Sequence, residues 1–162
     1  MPILEGTTTG PGLRFAIVVA RFNDFVTERL RSGALEALTA AGVAGEHVTT
    51  LRVPGSFEIP LAAQRAAETG QFDGIVCLGC LIRGATPHFE YISSAVAQGL
   101  THASAATGVP MAFGVLTTNS AEEALERAQP GTGNKGWEAA MAAVEMATLL
   151  ARLDRITART SV

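Results

Sequence analysis

The uncharged run Ile75-Val76-Cys77-Leu78-Gly79-Cys80-Leu81-Ile82, opened by Asp73-Gly74 and followed by Arg83-Gly84-Ala85-Thr86-Pro87, constrains the fold more than any other stretch. An apolar run of strand length flanked by glycine reads as a β-strand buried on both faces, the habit of parallel sheets covered by helices. The rest of the chain agrees. Leu13 to Ala20 reads as a first buried strand. Asn23 or Asp24 is placed to cap a helix in which Val26, Leu30, Ala34, Leu38 and Ala41 recur at helical spacing, with Gly42 ending it. His47 to Val53 has the β-branched content of a second strand, stopped by Pro54-Gly55. A helix from about Phe57 to Thr69 carries Pro60 in its first turn, where proline is tolerated. After the strand at 75–82 come a helix from about His88 to Thr107, a strand over Met111 to Leu116, a helix from Ala121 to Ala128 capped by Asn119 or Ser120, and a long helix from about Trp137 to Leu153.

Four strands alternating with helices predict parallel βαβ units. The expected fold class is therefore α/β: three layers, flavodoxin-like, a four-stranded parallel sheet with helices on both faces. The expected domain is single, residues 1–162, with a lead-in over 1–12 and a tail over 155–162. Such a sheet gathers its strand exits along one edge, where ligands sit in open α/β folds. The turns at Phe22, Ser56, Arg83 to His88 and the segment after Leu116 should therefore lie together.

Composition narrows the function classes. A formal net charge of -3, with 12 Lys+Arg against 15 Asp+Glu and no basic run, argues against nucleic acid or an anionic membrane as partner. No apolar stretch is long enough to span a bilayer. The first ten residues lack the basic region and apolar core of a secretory signal, so the cytoplasm is expected. With 48% hydrophobic and only 17% charged residues, some apolar surface is expected to be covered by another subunit. Cys77 and Cys80 have the C-x-x-C spacing of a redox pair or half a zinc site. Their place inside an apolar strand, rather than at a helix N-terminus, and the lack of a second Cys/His cluster favour two plain core thiols and no metal.

Several residues at the strand exits carry chemistry. His88 has the side chain that both takes and gives a proton near neutrality, and it is either a general acid-base or a solvated helix-start histidine. His47, at a strand start, and His102, inside a helix, are read as structural or solvated. Gly84-Ala85-Thr86 precedes a helix, so its N–H groups and hydroxyl could hold a phosphate. Arg83 beside it is either part of that site, or a surface ion pair or anchor for carbonyls. Arg127 could clamp a phosphate with its planar fork, or pair with Glu123 four residues earlier; spacing alone favours the pair. Lys135 is an anion contact or solvated, and Phe22, an aromatic at a strand exit, could stack on a planar heteroaromatic ligand. Phe113, inside an apolar strand, reads as core, and Glu58, in a helix first turn, as a complement to the helix dipole.

Five ordered motifs carry a family resemblance: Arg21-Phe22-Asn23, Val53-Pro54-Gly55-Ser56-Phe57-Glu58-Ile59-Pro60, Leu78 through Phe89, Phe113-Gly114-Val115-Leu116-Thr117-Thr118 and Gly133-Asn134-Lys135-Gly136. In order and content they resemble the 6,7-dimethyl-8-ribityllumazine synthase family from about Phe15 to Leu150. The resemblance implies a transferase of riboflavin biosynthesis that condenses 5-amino-6-(D-ribitylamino)uracil with 3,4-dihydroxy-2-butanone 4-phosphate, releasing phosphate and water, without a cofactor. It implies that Phe22 stacks on the pyrimidine, that Ser56, Phe57 and Glu58 hold the ribityl chain, and that Cys80, Leu81 and Ile82 present backbone groups to the ring. It further implies that Ala85, Thr86 and Arg127 bind the butanone phosphate, that His88 transfers protons, and that Asn23, Arg83 and Lys135 support the site. Phe113, Arg127 and Lys135 would come from a neighbouring subunit, because family sites lie at subunit interfaces. The implied assembly is a homo-oligomer of pentamers. The turn between the last two helices has no extra residues, which favours the icosahedral shell of twelve pentamers. The readings set beside this one are a related pterin- or flavin-pathway enzyme such as the archaeal type of riboflavin synthase, a flavin-carrying electron-transfer module, and a purely structural cage subunit.

Overall fold

The computed structural model describes residues 1–161. Its β-strands are β1 (Phe15–Ala20), β2 (Val48–Val53), β3 (Gly74–Ile82) and β4 (Met111–Thr118). They form one parallel sheet in the order β2-β1-β3-β4. The helices are α1 (Asp24–Ala40), α2 (Ile59–Glu68), α3 (His88–Thr107), α4 (Ala121–Arg127) and α5 (Lys135–Thr160). This is the three-layer, flavodoxin-like arrangement expected from the alternation of apolar runs.

Strand periodicity divides the core cleanly in two. Phe15, Ile17 and Val19 of β1, with Val76, Leu78 and Cys80 of β3, pack against α1, α4 and α5. Ala16, Val18 and Ala20, with Ile75 and Cys77, pack against α2 and α3 on the other face. Alternate side chains of a strand point to opposite faces, so the central strands need apolar residues at every position. That is why β1 and β3 contain no charge. Cys77 and Cys80, three residues apart, accordingly face opposite layers and stand as free thiols.

The chain runs from β1 outward to β2, then returns past β1 to β3 and on to β4. The reversal falls between β1 and β3, the place where an open α/β sheet opens a crevice at its strand carboxyl ends. The ladder lengths deepen it. Pairing of β3 with β1 ends at Leu78 opposite Val19, whereas pairing with β4 continues to Ile82 opposite Thr118. The last residues of β3 thus stand beyond the end of β1, with only β4 beside them.

Some boundaries differ from the sequence expectation for identifiable reasons. β1 starts at Phe15, because Arg14 is engaged by Asp73: Arg14 N–H donates to the Asp73 carboxylate and Asp73 N–H donates back to the Arg14 carbonyl. His47 ends a 3-10 turn before β2 instead of beginning the strand. Ser56–Glu58 form a 3-10 turn that precedes α2, which puts Pro60 at the start of the helix proper. β4 extends two residues past Leu116. α5 runs from Lys135 to Thr160, so residues 155–160 of the expected tail continue the helix; Val162 lies outside the described residues.

Candidate active site

Three strand exits meet in one cleft. After β1 the chain turns through Phe22 and Asn23. Arg21 N–H and Phe22 N–H donate to the carbonyls of Val53 and Pro54, tying the β1 and β2 exits together. Phe22 gains no packing from this turn and stays 70% exposed. Asn23 occupies the position before α1 but does not cap it with its side chain. It lies in the left-handed region at φ 62°, and its Nδ2 instead donates 2.9 Å to the Cys80 carbonyl across the end of β1. Asparagine tolerates that backbone conformation better than most side chains. Because alternate residues of a parallel strand direct their polar groups to the same neighbour, Ile82 shares its direction with Cys80, into the space β1 leaves open.

The β2 exit supplies the opposite wall. Glu58 curls back so that its carboxylate accepts the Gly55 N–H at 3.1 Å, holding the 3-10 turn closed. The carboxylate is therefore spent locally at the turn, where a role on the helix dipole was expected. Ser56 is buried against Gly79, whose missing Cβ makes the room: a methyl there would lie 2.5 Å from Ser56 Oγ. Phe57 projects outward and exposed.

Past β3, the turn over 83–87 leads into α3, with Pro87 at its start and no side chain capping its first N–H groups. Arg83 anchors this turn. Its N–H donates to the Thr118 carbonyl, its Nε to Asn119 Oδ1 at 3.0 Å, its guanidinium pairs with Glu90, and the same group lies 4.4 Å from the Phe89 ring centroid. A hydrogen bond from its own backbone, then Arg83, holds the Glu90 carboxyl below the usual carboxylate range. Arg83 thus belongs to the ion-pair reading and not to a free anion contact. Burial pushes the Cys80 thiol up to about 11 and the fully enclosed Cys77 thiol higher still, so neither is poised as a nucleophile.

The result is a cleft of about 750 Å³ lined by Phe22, Asn23, Ser56, Phe57, Glu58, Cys80, Leu81, Ile82, Thr86 and His88. Ala85 sits between Gly84 and Thr86 in the same turn. Pro54, Gly84, Phe89 and Ile92 also line it. Of these Ile92, one helical turn after His88, lies outside every motif that the sequence singles out.

Phe113, Arg127 and Lys135 do not reach this cleft. They line a second hollow of about 320 Å³ with Thr117 and Glu138, between β4, α4 and α5. Phe113 is 49% exposed, contrary to the core reading, because β4 is an edge strand. The Arg127–Glu123 ion pair expected from i,i+4 spacing is not formed. Glu123 caps α4 by accepting the Asn119 N–H at 2.7 Å, and the Arg127 guanidinium, which lines the hollow, donates through Nη1 to the Glu123 carbonyl. Ser120 supplies the other cap, its Oγ accepting Glu123 N–H. Lys135 is paired at 2.8 Å with Glu138, a partner that its i,i+3 spacing could have suggested.

A parallel α/β sheet with an aromatic, exposed backbone groups, an uncapped helix start and a histidine at its topological reversal defines an enzyme of small polar ligands. Residues 12–151 match the family described as 6,7-dimethyl-8-ribityllumazine synthase. A 6,7-dimethyl-8-ribityllumazine synthase of Syntrophus aciditrophicus (strain SB) is 52% identical over 151 residues, covering 93% of this chain and 98% of that protein. One of Desulfatibacillum aliphaticivorans is 50% identical over 147 residues, covering 91% and 95%. The chain belongs to the 6,7-dimethyl-8-ribityllumazine synthase family.

Proposed function

We propose that the two hollows are complementary halves of one active site, completed when the β4 edge of one chain meets the strand-exit cleft of another. The chain condenses 5-amino-6-(D-ribitylamino)uracil with 3,4-dihydroxy-2-butanone 4-phosphate to 6,7-dimethyl-8-ribityllumazine, releasing phosphate and water, in riboflavin biosynthesis. The observation that carries the shared site is the separation itself: the aromatic, the histidine and the Gly84–Thr86 turn lie in one place, and Arg127 with Lys135 lies in another, on an uncovered sheet edge.

In this reading the pyrimidine stacks on Phe22, with the neighbour's Phe113 equivalent on its far side, and exchanges hydrogen bonds with the backbone at Cys80 and Ile82, while Leu81, whose polar groups face β4, lines the ring's place between them. The ribityl chain runs along Ser56, Phe57 and Glu58. The phosphate rests on the N–H groups at Ala85 and Thr86, where the start of α3 favours an anion, and an Arg127 guanidinium closes over it as a fork. Asn23, Arg83 and Lys135 support these contacts: Asn23 spans β1 to β3, and Arg83 stiffens the anion turn.

The chemistry matches that inventory. The ring amine adds to the ketone, water leaves to give a Schiff base, the enolised intermediate expels phosphate, and ring closure loses a second water. No electron is gained or lost overall, so the steps call for orientation, proton transfer at His88 and stabilisation of the departing dianion. We assign no cofactor. Two unpaired core thiols suit a reducing compartment, and among the described residues no helix is long and apolar enough to cross a membrane; we place the enzyme in the cytoplasm. The assembly we favour is a shell of twelve pentamers, and light scattering at neutral pH that gives a pentamer-sized particle would exclude it. Mixing the two substrates with purified protein and following lumazine fluorescence tests the reaction. Catalysed product formation is expected, and a rate no faster than the uncatalysed background overturns the reading.

A further inference from the structure

The buried side chain of Asn134 belongs to neither hollow, yet it joins the two helices, α4 and α5, that carry the cations of the second one. It is 1% exposed and uses all of its hydrogen-bonding capacity toward backbone. Its Oδ1 accepts the Gly136 and Trp137 N–H groups at 2.8 and 3.2 Å, capping α5. Its Nδ2 donates to the Ala128 carbonyl at 3.1 Å, just past the end of α4, and to the Arg29 carbonyl of α1 at 3.2 Å. Around it the backbones are as close as they can be. A Cβ on Gly33 would overlap Asn134 Oδ1, and one on Gly136 would overlap the Leu30 carbonyl oxygen.

Arg127 and Lys135 each stand one residue from a point this amide grips: Ala128 follows Arg127, and Lys135 follows Asn134 itself. Between them runs the exposed turn 129–133, with Gly131 at φ 108°. Without a tether, such a glycine-containing turn would let the end of α4 move relative to the start of α5. No other residue makes all four bonds. Aspartate keeps the cap on α5 but presents a second oxygen to two carbonyls and donates to neither, and glutamine does not fit a space that glycine already has to vacate.

We propose that Asn134 is a positioning residue for catalysis, fixing the end of α4 against the start of α5 so that the Arg127 guanidinium is held in place for the substrate phosphate. This rests on the assignment of Arg127 to the phosphate clamp. The test compares Asn134→Asp, Arg127→Ala and the double variant, in the assembled protein, by steady-state kinetics with each substrate varied and by inhibition with inorganic phosphate. In Asn134→Asp the KM for the phosphate substrate and the inhibition constant of phosphate are expected to rise about tenfold, since small misplacement of a binding group is costly. The aminouracil KM should stay within about twofold and kcat at saturation should largely persist. Adding Asn134→Asp to Arg127→Ala should raise the phosphate KM no further. A fall in kcat with both KM values unchanged, or loss of assembly in both Asn134→Asp and Asn134→Ser, would assign the amide to folding alone and overturn the proposal. If Arg127→Ala itself leaves the phosphate KM unchanged, the clamp assignment fails instead, and the inference with it.

Discussion

Gly79→Ala probes the join between the sheet and the 3-10 turn proposed to hold the ribityl chain. Gly79 lies in β3 with ordinary extended backbone, so alanine brings no conformational strain and its whole effect is steric. The added methyl would sit 2.5 Å from Ser56 Oγ and 3.1 Å from Ile59 Cδ1. Both neighbours are buried, Ser56 at 6% and Ile59 at 0% exposure, so neither has solvent to retreat into. The 3-10 turn must lift off the strand instead. Overpacking of this kind costs about 1–3 kcal/mol, against a total of about 5–15 kcal/mol for a domain. The variant should fold with Tm lowered by about 3–10 °C. Lifting the turn also displaces Ser56 and Glu58, so the aminouracil KM should rise about tenfold while that of the phosphate substrate is kept. Thermal unfolding and steady-state kinetics measure both. Ser56→Ala in the same chain removes the closest atom and should restore most of the lost stability, though not the lost binding. A Gly79→Ala protein with wild-type Tm and KM, or one whose Tm is untouched by Ser56→Ala, would refute the reasoning.

Two further predictions concern ionisable groups away from the reacting atoms. With the Cys80 thiol pushed up to about 11 and Cys77 higher, about one Cys80 side chain in a thousand is thiolate at pH 8. Ellman's reagent should therefore find no reactive thiol in the native protein and two in denaturant, and rapid native labelling would contradict the buried placement. Glu90 carries a carboxyl lowered in the folded state, so its contribution is present above the unfolded carboxylate range and lost as pH falls through the folded value. Glu90→Gln should weaken phosphate-substrate binding at neutral pH, a difference that shrinks with added salt and disappears in acid; a variant indistinguishable from wild type at pH 7 and low salt would show that the Arg83 clasp does not stiffen the turn.

The fold was legible where a single physical requirement acts on every residue of a run. β1 and β3 are covered on both faces, so each position had to be apolar, and the periodicity could be read directly. Where side chains choose between partners, sequence was less informative. Asn23 looked like a helix cap, but the carbonyl left at Cys80 by the short β1 ladder attracts its amide. Glu123 stood at ion-pairing distance in sequence from Arg127, and the unsatisfied N–H at Asn119 took it. Phe113 sat in a core-like run, and only the strand order reveals that β4 is an edge. The motifs pointed to candidate site residues through their resemblance to a family. No local spacing indicated that they would fall into two hollows, since that depends on how β4 and α5 lie relative to β1. Asn134 belongs to one of the motifs, but its burial and four bonds exist only in the folded chain.

The shared active site is the central claim, and subunit complementation tests it most directly. Chains carrying His88→Ala lack one half-site function and chains carrying Arg127→Ala lack the other, so each alone should be nearly inactive as an assembly. Dissociated, mixed in equal amounts and reassembled, they form head-to-tail contacts at random, and about a quarter of those contacts pair an intact cleft with an intact β4 edge. Lumazine production near one quarter of the wild-type rate is the predicted result. Activity no greater than the mean of the two parents, in a mixture shown to contain hybrid particles, would contradict a site built from two chains.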